Sequence, residues 1–346
     1  MLVIRSIQST DLDALLHMAG QVGSGMTTLK PDRKMLGDRV AIAVASFAET
    51  IPPEERDYMF VLEDTTQGRV AGICAIKGAV GLNEPFYNYR IGTLVHSSRE
   101  LDVFSRMETL YLSNDLTGAT ELCSLFLHPD YRSGNNGKWL SKSRFLFIAQ
   151  FKALFTEKII AEMRGYQAED GSSPFYEGLG RHFFKMDFDH VDDLTALGKK
   201  SFIAELMPRQ PLYVAYLPDD AQAVIGKVHK STLPARKLLE QEGMHFEGYV
   251  DIFDAGPVLQ GRVGELRAVR DSVQAIAVDI AVEGTPAAAV ETVPVLVSNT
   301  TLGDFRMIVA QSVPGAAHVA LTPAEMTLLR VQAGDPLRTL SLNASI

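Results

Sequence analysis

The sequence predicts a mixed α/β fold with a large first part and a small β-rich module at its end. Three observations indicate this class. Segments with strand-like and helical patterning alternate through the first 257 residues, which is typical of a sheet flanked by helices. The chain has 346 residues, more than one ordinary hydrophobic core holds. After Pro257, short Val/Ile/Ala-rich runs alternate with Gly, Pro, Asn and Asp, a pattern of short strands and turns.

The first predicted elements are a strand, two helices and a hairpin. Residues 2–6 predict a short strand, and the segment Thr10-Asp11-Leu12-Asp13 fits a capping box, with Asp in place of the usual Glu, at the start of a helix. A second helix is predicted at 36–48. The runs 58–63 and 69–77 are strand-like and are joined by a short turn, so they predict a β-hairpin.

A third strand, a polar loop and a long helix come next. Residues 121–127 predict the strand, which ends at His128-Pro129. The helix is expected from about 138 to 155, because its apolar residues recur at helical spacing. Residues 159–163 predict another strand. This order favours a mixed sheet with helices on both faces.

Beyond residue 200, the runs 202–206 and 212–216 are predicted as strands. One helix is expected to reach about Val228. Another opens near Thr232 and Pro234 and ends before Gly243, and a strand is expected at 249–253.

The chain therefore divides into three predicted parts. They are residues 1–200, residues 201–257 and a small β-rich module at 258–346 with one helical turn near 323–329. The last part has no residues in a recognisable catalytic pattern, so it is expected to serve packing or assembly.

Composition excludes several classes of function. The net charge is −9 and the pI about 5.4, and the sequence has none of the basic stripe that a nucleic-acid-binding protein needs. No apolar run is long enough to cross a bilayer, so no membrane contact and a cytoplasmic location are expected. Cys74 and Cys123 each lie in an apolar run. They are expected to be buried, reduced thiols, and neither has metal-ligand spacing.

The segment most informative about chemistry is the Gly/Asn-rich loop at 131–138, between a strand and a helix. Backbone N–H groups in such a loop, together with the helix dipole, suit a pyrophosphate. Gly and Asn allow the backbone to take positive φ and to approach a ligand closely. The alternative is a purely structural strand-to-helix turn, and the loop alone does not decide between the two.

This loop resembles the CoA-binding loop of GNAT-type N-acyltransferases, whose pattern is Q/R-x-x-G-x-G/A. Arg132 and Gly137 match the pattern, and Asn135 stands where its first Gly is expected. Asn tolerates left-handed backbone best after Gly, so Asn135 is expected to take that conformation. The resemblance implies a GNAT-like fold in which CoA contacts Leu125, Phe126, Leu127, Arg132, Ser133, Gly134, Asn135, Gly137 and Lys138.

A second segment, at 173–180, resembles the LYExxGF helix end of the same family and places Tyr176 at its tyrosine position. In that family this tyrosine often protonates the departing thiolate, a suitable step for a phenol. The alternative is an aromatic side chain packed on the sheet. Residues 234–243 echo the pattern with Leu239 at the tyrosine position, which favours a degenerate second GNAT-like half.

Longer segments across residues 1–257 resemble the arginine N-succinyltransferase family. They are 60–64, 70–76, 87–90, 121–127, 160–165, 173–175, 202–208, 224–229 and 251–257. The resemblance implies succinyl transfer from succinyl-CoA to the α-amine of L-arginine, the first step of a bacterial arginine-degradation pathway, with no permanently bound cofactor. Some members accept ornithine and some work as paired subunits. A homo-oligomer or a heteromer with a related subunit is therefore expected, and the rivals are another GNAT-type specificity or a catalytically silent subunit.

The resemblance also implies roles for single residues. His229 matches a histidine that acts as proton donor, and Leu125 matches a leucine that contacts succinyl-CoA. The alternative for His229 is a helix-end histidine that interacts with carbonyls and the helix dipole. Glu121, at the start of the strand next to the CoA loop, is a candidate base, with a solvated strand end as its alternative.

Substrate recognition requires groups of opposite charge. Carboxylates that fork onto a guanidinium are expected for arginine. Glu162, Glu205, Asp251 and Asp254 are candidates, with Glu162 and Asp251 taken as the predicted contacts. The succinyl carboxylate needs a cation, and Arg90 is the first candidate. Its alternative is an arginine at the surface or at a sheet edge.

Overall fold

A computed structural model describes residues 1–22, 26–196, 198–280 and 292–342. The parts of the predicted C-terminal module at 281–291 and 343–346 lie outside these ranges. The strands are β1 (Leu2–Ser6), β2 (Asp57–Asp64), β3 (Arg69–Lys77), β4 (Asn88–Ser98), β5 (Val103–Ser113), β6 (Thr120–Leu127), β7 (Lys158–Glu162), β8 (Leu212–Tyr213), β9 (His245–Asp251), β10 (Pro257–Arg262), β11 (Val273–Asp279), β12 (Val293–Asn299), β13 (Arg306–Ser312), β14 (His318–Leu321) and β15 (Pro336–Ser341).

The helices are shorter and more scattered. They are α1 (Leu12–Ala19), α2 (Arg33–Phe47), α3 (Asn136–Gln150), α4 (Arg181–Phe184), α5 (Phe188–Ala196), α6 (Ser201–Leu206), α7 (Asp219–Val224), α8 (Leu233–Gln241), α9 (Arg267–Asp271) and α10 (Pro323–Leu329). A π-helical turn, Tyr176–Gly180, precedes α4. Within the described ranges, no helix is long and apolar enough to cross a membrane.

All of these strands form one mixed sheet. Its order is β14-β11-β15-β12-β13-β1-β2-β3-β6-β7-β10-β9-β4-β5-β8. Most neighbours are antiparallel, whereas β6 runs parallel to β7 and β11 runs parallel to β14. The predicted mixed α/β class is confirmed, as is the β-rich texture of the last part, where α10 occupies the predicted 323–329. The division at residues 200 and 257 stays a prediction; β10, just beyond the second boundary, pairs with β7 and β9.

Helices cover both faces of the central strands. Along β2, Phe60 and Leu62 pack with Leu140 of α3, while Met59 and Val61 pack with Leu36 of α2. Successive strand residues point to opposite faces, so both of these faces are buried. The continuous apolar run of β2 is therefore typical of a strand that lies between two helical layers.

Several local predictions were wrong. Residues 202–206 form helix α6 rather than a strand; its Ile203 is buried and its last residues are exposed, and a short apolar run cannot distinguish the two structures. Only Leu212 and Tyr213 of 212–216 form a strand. The helix expected to reach Val228 ends at Val224, because Gly226 takes a φ of +72°. The strand expected at 249–253 ends at Asp251, whose carboxylate accepts hydrogen bonds from the next turn.

The capping box at the start of the chain is displaced from its predicted position. Gln8, rather than Thr10, forms it with Asp11. Asp11 accepts two hydrogen bonds from the buried Arg5 guanidinium, at 2.8 and 2.9 Å, and one from the backbone N–H of Gln8. The ion pair with β1 therefore determines where this helical segment begins.

Candidate active site

The site begins where two parallel strands part. β6 and β7 pair at Thr120↔Ile159 and Glu121↔Ile160, although β6 continues to Leu127. The edge of β6 beyond Glu121 thus has no partner strand on this side among the described residues. A cavity of about 1420 Å³ opens along this edge, larger than an ordinary small-molecule pocket. It has room for a long ligand.

A β-bulge marks the middle of that edge. β6 pairs with β3 at Ile73↔Phe126 and at Ala75↔Cys123, so β6 has one extra residue between these pairs. Ser124 lies in the extra segment and takes a φ of +55°. Bulges of this kind redirect backbone groups and are frequent beside active sites. Ser124 and Leu125 both line the cavity, so the bulge brings backbone groups to its wall.

The polar loop turns at a different residue from the one expected. Gly134 takes the left-handed conformation, with a φ of +59°, whereas Asn135 has a φ of −109°. The expectation for Asn135 was therefore wrong by one residue. An added Cβ on Gly134 would meet no atom within 4 Å, so the backbone here faces open space that a ligand can reach.

The first turn of α3 is suited to an anion. The Asn135 side chain makes no capping hydrogen bond to the helix, and the first N–H groups of any helix lack intrahelical acceptors. Arg132 donates from Nε to the Leu127 carbonyl at 2.9 Å, which keeps its guanidinium beside the loop. The residues predicted to contact CoA all line the cavity: Leu125, Phe126, Leu127, Arg132, Ser133, Gly134, Asn135, Gly137 and Lys138.

Carboxylates from three strands line the same cavity. Glu121 is on β6, Glu162 on β7 and Asp251 on β9, with Asp254 in the turn that follows. Asp254 accepts hydrogen bonds from the backbone N–H groups of Gly165 and Gly256, at 2.7 and 2.8 Å. The structure therefore brings the predicted base candidate and both predicted substrate contacts together. Glu205 is exposed on α6 and is not among the lining residues.

This cluster retains protons more strongly than ordinary carboxylates. Burial raises the pKa of Glu162 well above its usual value, and the negative charges of Asp251 and Glu121 raise it further. Burial also raises the pKa of Asp251. Each effect disfavours the ionised form. A bound cation would reverse this preference, so the cluster is suited to a positively charged ligand.

His229 is not part of the cavity wall, although Ser231 and Thr232, which follow it closely in sequence, are. Its Nδ1 accepts a hydrogen bond from the backbone N–H of Ser231 at 3.2 Å and lies 2.7 Å from that residue's hydroxyl. Burial, followed by the charges of Arg164 and Lys230, lowers the pKa of His229. The imidazole is therefore neutral at pH 7, and an Nδ1 that accepts leaves the proton on Nε2.

Tyr176 is not brought to this cavity. Its side chain is fully buried and its hydroxyl donates to the Met186 carbonyl at 3.0 Å. It packs against Phe188 in a second core cluster. Burial raises the pKa of Tyr176 to about 12. Its predicted role as an acid stays a prediction, and the geometry matches the alternative of an aromatic packed on the sheet.

Arg90 also lies away from the cavity wall. Its side chain is 61% exposed and pairs with Asp115 at 3.7 Å, as in the alternative of a surface arginine. The sequence analysis overlooked several cations that do line the cavity, among them Arg144, Arg164 and Lys200. The sequence offered no clear signal for Arg144, because its burial in the run from Leu140 to Ala149, where a charged residue is unusual, is visible only in the structure.

The chain is similar to known proteins along nearly its whole length. Residues 2–268 match the family model described as arginine N-succinyltransferase beta subunit, and residues 279–341 match its C-terminal domain. The arginine N-succinyltransferase of Enterobacter sp. (strain 638) is 48% identical over 342 residues, covering 99% of this chain and 98% of that protein. That of Citrobacter koseri is 48% identical over 344 residues, with the same shares covered.

A solved structure extends the similarity to the whole fold. Arginine/ornithine succinyltransferase subunit AI from Pseudomonas aeruginosa superimposes with a TM-score of 0.89 at 33% identity, covering 99% of both chains. With family models matching most of the chain and relatives close to half identical over nearly its full length, the chain belongs to the arginine N-succinyltransferase family, whose members are N-acyltransferases.

Proposed function

We propose that this chain transfers the succinyl group of succinyl-CoA to the α-amine of L-arginine. The observation that carries the proposal is the placement of Glu162 and Asp251 in the same cavity as the loop that matches the CoA-binding pattern. One end of the cavity suits a pyrophosphate and the other suits a cation. Family membership adds the acyl donor and the acceptor named for its relatives.

The acceptor would be recognised at the acidic end. A guanidinium presents five N–H donors in a planar fork, and carboxylates accept them in pairs. Glu162 and Asp251 supply carboxylates on the cavity wall, and the buried Asn88 amide donates to Glu162 and holds that carboxylate in place. This set of acceptors favours a guanidinium over a single ammonium group.

The reaction exchanges the C–S bond of the thioester for a C–N bond and moves one proton from the amine to the sulfur. The α-amine must be neutral to attack the thioester carbonyl, after which the C–N bond forms and the C–S bond breaks. The neutral His229 is suited to take the proton from the amine in the tautomer whose proton lies on Nδ1, next to the Ser231 hydroxyl, because Nε2 is then free to accept. It would return that proton to the departing thiolate, and Glu121 is the second candidate base. Backbone N–H groups at the Ser124 bulge would stabilise the oxyanion. Succinyl-CoA is a co-substrate, and the mechanism needs no permanently bound cofactor.

The similarity to an arginine/ornithine enzyme favours a second candidate function, in which ornithine is the acceptor. The relative in Pseudomonas aeruginosa is named as an arginine/ornithine succinyltransferase subunit, so ornithine is the alternative acceptor. Its side chain ends in an ammonium, a compact charge without a planar fork. The homo-oligomer, the heteromer with a related subunit and the cytoplasmic location stay predictions.

A free-thiol release assay on the purified chain tests the proposal. Succinyl-CoA and acetyl-CoA are offered separately with arginine, ornithine or citrulline, the last being a neutral analogue of arginine with similar shape. The expected result is rapid thiol release only with succinyl-CoA and arginine, slower release with ornithine and little with citrulline. Equal rates with arginine and citrulline would contradict recognition by carboxylates. No release with any pair would favour the silent-subunit alternative.

A further inference from the structure

Arg144 is a buried arginine that no carboxylate neutralises. Arg5, Arg56, Arg267 and Arg306 are the other arginines less than 10% exposed, and each forms an ion pair with an Asp or Glu. Arg144 is 3% exposed and forms no ion pair with any carboxylate of the described ranges. A buried cation without a partner is costly, and proteins rarely retain one. The position of Arg144 therefore indicates that an anionic group of a ligand pairs with it.

The neutral groups around Arg144 hold it in place without cancelling its charge. Its guanidinium donates to the Ser141 carbonyl at 3.3 Å, to the Ser141 hydroxyl at 3.0 Å and to the Cys123 carbonyl at 3.4 Å. Cys123 precedes Ser124, so the guanidinium lies directly behind the bulge. Arg144 also lines the cavity, so a ligand at the bulge would reach it.

We propose that Arg144 binds the terminal carboxylate of the succinyl group and thereby selects succinyl-CoA over neutral acyl-CoAs. This inference rests on the proposed function, because it assumes that the thioester lies at the bulge. The succinyl carboxylate lies two methylene groups beyond the thioester carbonyl. A donor whose thioester is at the bulge would therefore place this carboxylate near the Arg144 guanidinium. A guanidinium can hold a carboxylate with two parallel hydrogen bonds.

The other cations of the cavity wall are placed for other partners. Lys138 is one of the residues predicted to contact CoA, and Lys237 is exposed on α8. Lys77 lies 3.9 Å from Glu121, and Lys200 lies 3.4 Å from Glu84. Arg164 is half-buried and faces the charges of Asp254 and Asp192 at the acidic end. Arg132 is exposed in the loop that matches the CoA-binding pattern. Among these cations, Arg144 is the one that is buried, forms no ion pair with a carboxylate of the described ranges and contacts the bulge.

The test compares succinyl-CoA with butyryl-CoA, which has the same four-carbon chain without the carboxylate. Both kcat/KM with arginine and the Kd of each donor are measured for the wild-type chain and for Arg144→Met. The expected result is a loss of about 100-fold for succinyl-CoA, the scale of a truncated buried ion pair. Butyryl-CoA should change less than about threefold, since an apolar side chain removes no interaction with it.

Two control variants separate the roles. The donor ratio is defined as kcat/KM for succinyl-CoA divided by kcat/KM for butyryl-CoA. Arg306→Met removes a buried arginine in the β-rich C-terminal part and should lower stability without changing this donor ratio. Arg144→Lys keeps the charge but loses the fork, so it should fall between wild type and Arg144→Met. Should Arg144→Met fail to fold, the ratio in Arg144→Lys decides, and an unchanged ratio there overturns the inference.

Other results also overturn it. They are an equal loss for both donors in a folded Arg144→Met chain, and a loss of succinyl preference in Arg90→Met but not in Arg144→Met. The Kd comparison distinguishes this failure from failure of the proposed function. A chain that binds succinyl-CoA through Arg144 yet releases no thiol contradicts the function alone, whereas an active chain whose donor ratio ignores Arg144 contradicts the inference alone.

Discussion

The side-chain amide of Asn88 donates a hydrogen bond of 2.8 Å to the carboxylate of Glu162. This bond joins β4 to β7, two strands that are not neighbours in the sheet, and Asp251 is the strand neighbour of Asn88 on β9. Glu162 is thus held in one orientation by a neutral group that supplies no positive charge to favour its ionised form. A bound cation would favour the ionised form, and this expectation is the basis of the first two predictions.

Glu162→Gln should weaken arginine binding. The substitution keeps the shape and removes the charge, and a charge-assisted hydrogen bond contributes about 1.5–3 kcal/mol. The KM for arginine should therefore rise on the order of 10- to 100-fold, with the KM for succinyl-CoA unchanged. Glu157→Gln, at an exposed position just before β7, is the matched control. A change below twofold in Glu162→Gln would remove Glu162 from substrate recognition.

Arginine affinity should increase with pH. Burial and two neighbouring negative charges raise the pKa of Glu162, so part of the cluster is protonated in the free chain at pH values where ordinary glutamate is ionised. A guanidinium favours the ionised form, so binding releases protons. Calorimetric titration in two buffers with different ionisation enthalpies measures this release. Identical heats in both buffers, together with a Kd independent of pH, would contradict the account.

His229→Ala should lower kcat by about 10²- to 10⁴-fold, the usual contribution of a general acid or base. Because burial and two cations lower the pKa of His229, its neutral form predominates at pH 7. Activity should decline only as the pH falls below about 6.5, the ordinary pKa of histidine. Steady-state rates from pH 5 to 8 measure this decline. His318→Ala, at an exposed position on β14, is the control, and a folded His229→Ala chain with near wild-type kcat would exclude the role.

Gly134→Ala should raise the KM for succinyl-CoA. The left-handed conformation costs an alanine about 1–2 kcal/mol, and the loop can relieve that strain only by moving its N–H groups. Gly315→Ala is matched, because Gly315 also has positive φ and open space around it. Both variants should lose similar thermal stability. An equal effect of the two on KM would show that the loop geometry does not serve CoA binding.

Glu242→Gln should destabilise the fold without altering the donor ratio. Glu242 is completely buried and forms ion pairs with Lys142 of α3 and Arg267 of α9. Removing the shared carboxylate leaves the buried Lys142 without an ion pair and leaves Arg267 with the more distant Asp271 alone. Breaking a buried ion pair in this way costs about 3–5 kcal/mol. Chemical denaturation measures the free energy of unfolding. Glu240→Gln, in an exposed i,i+4 pair, should cost under about 1 kcal/mol, and equal losses would refute the buried network.

The regular elements of the fold were accessible from the sequence where the pattern was long or bounded by clear turn residues. The β2–β3 hairpin and α10 are examples. The strands β4 and β5 were missed, because most of their length forms a two-stranded ribbon with both faces partly exposed, so no alternation of apolar residues marks it. The helix α6 was mistaken for a strand, because its apolar run is too short to show a helical period.

The site could be predicted only in part. Glycine, asparagine and arginine marked the loop at 131–138 as the proposed CoA-binding loop, because phosphate binding requires residue types that are visible in sequence. The bulge at Ser124 could not be foreseen, since serine gives no sign of positive φ. Arg144 was overlooked because a charged helix residue is normally solvated, and Tyr176 and Arg90 were chosen by motif and charge without knowledge of which way they face.

Identification of the product tests the central claim most directly. The purified chain is incubated with succinyl-CoA and L-arginine, and the product is characterised by mass spectrometry and by the chemical shift of its α-proton. The account predicts arginine carrying one succinyl group on its α-nitrogen, formed in equal amount to the free CoA. Free CoA without acylated arginine, or a succinyl group on the guanidinium instead, would contradict it.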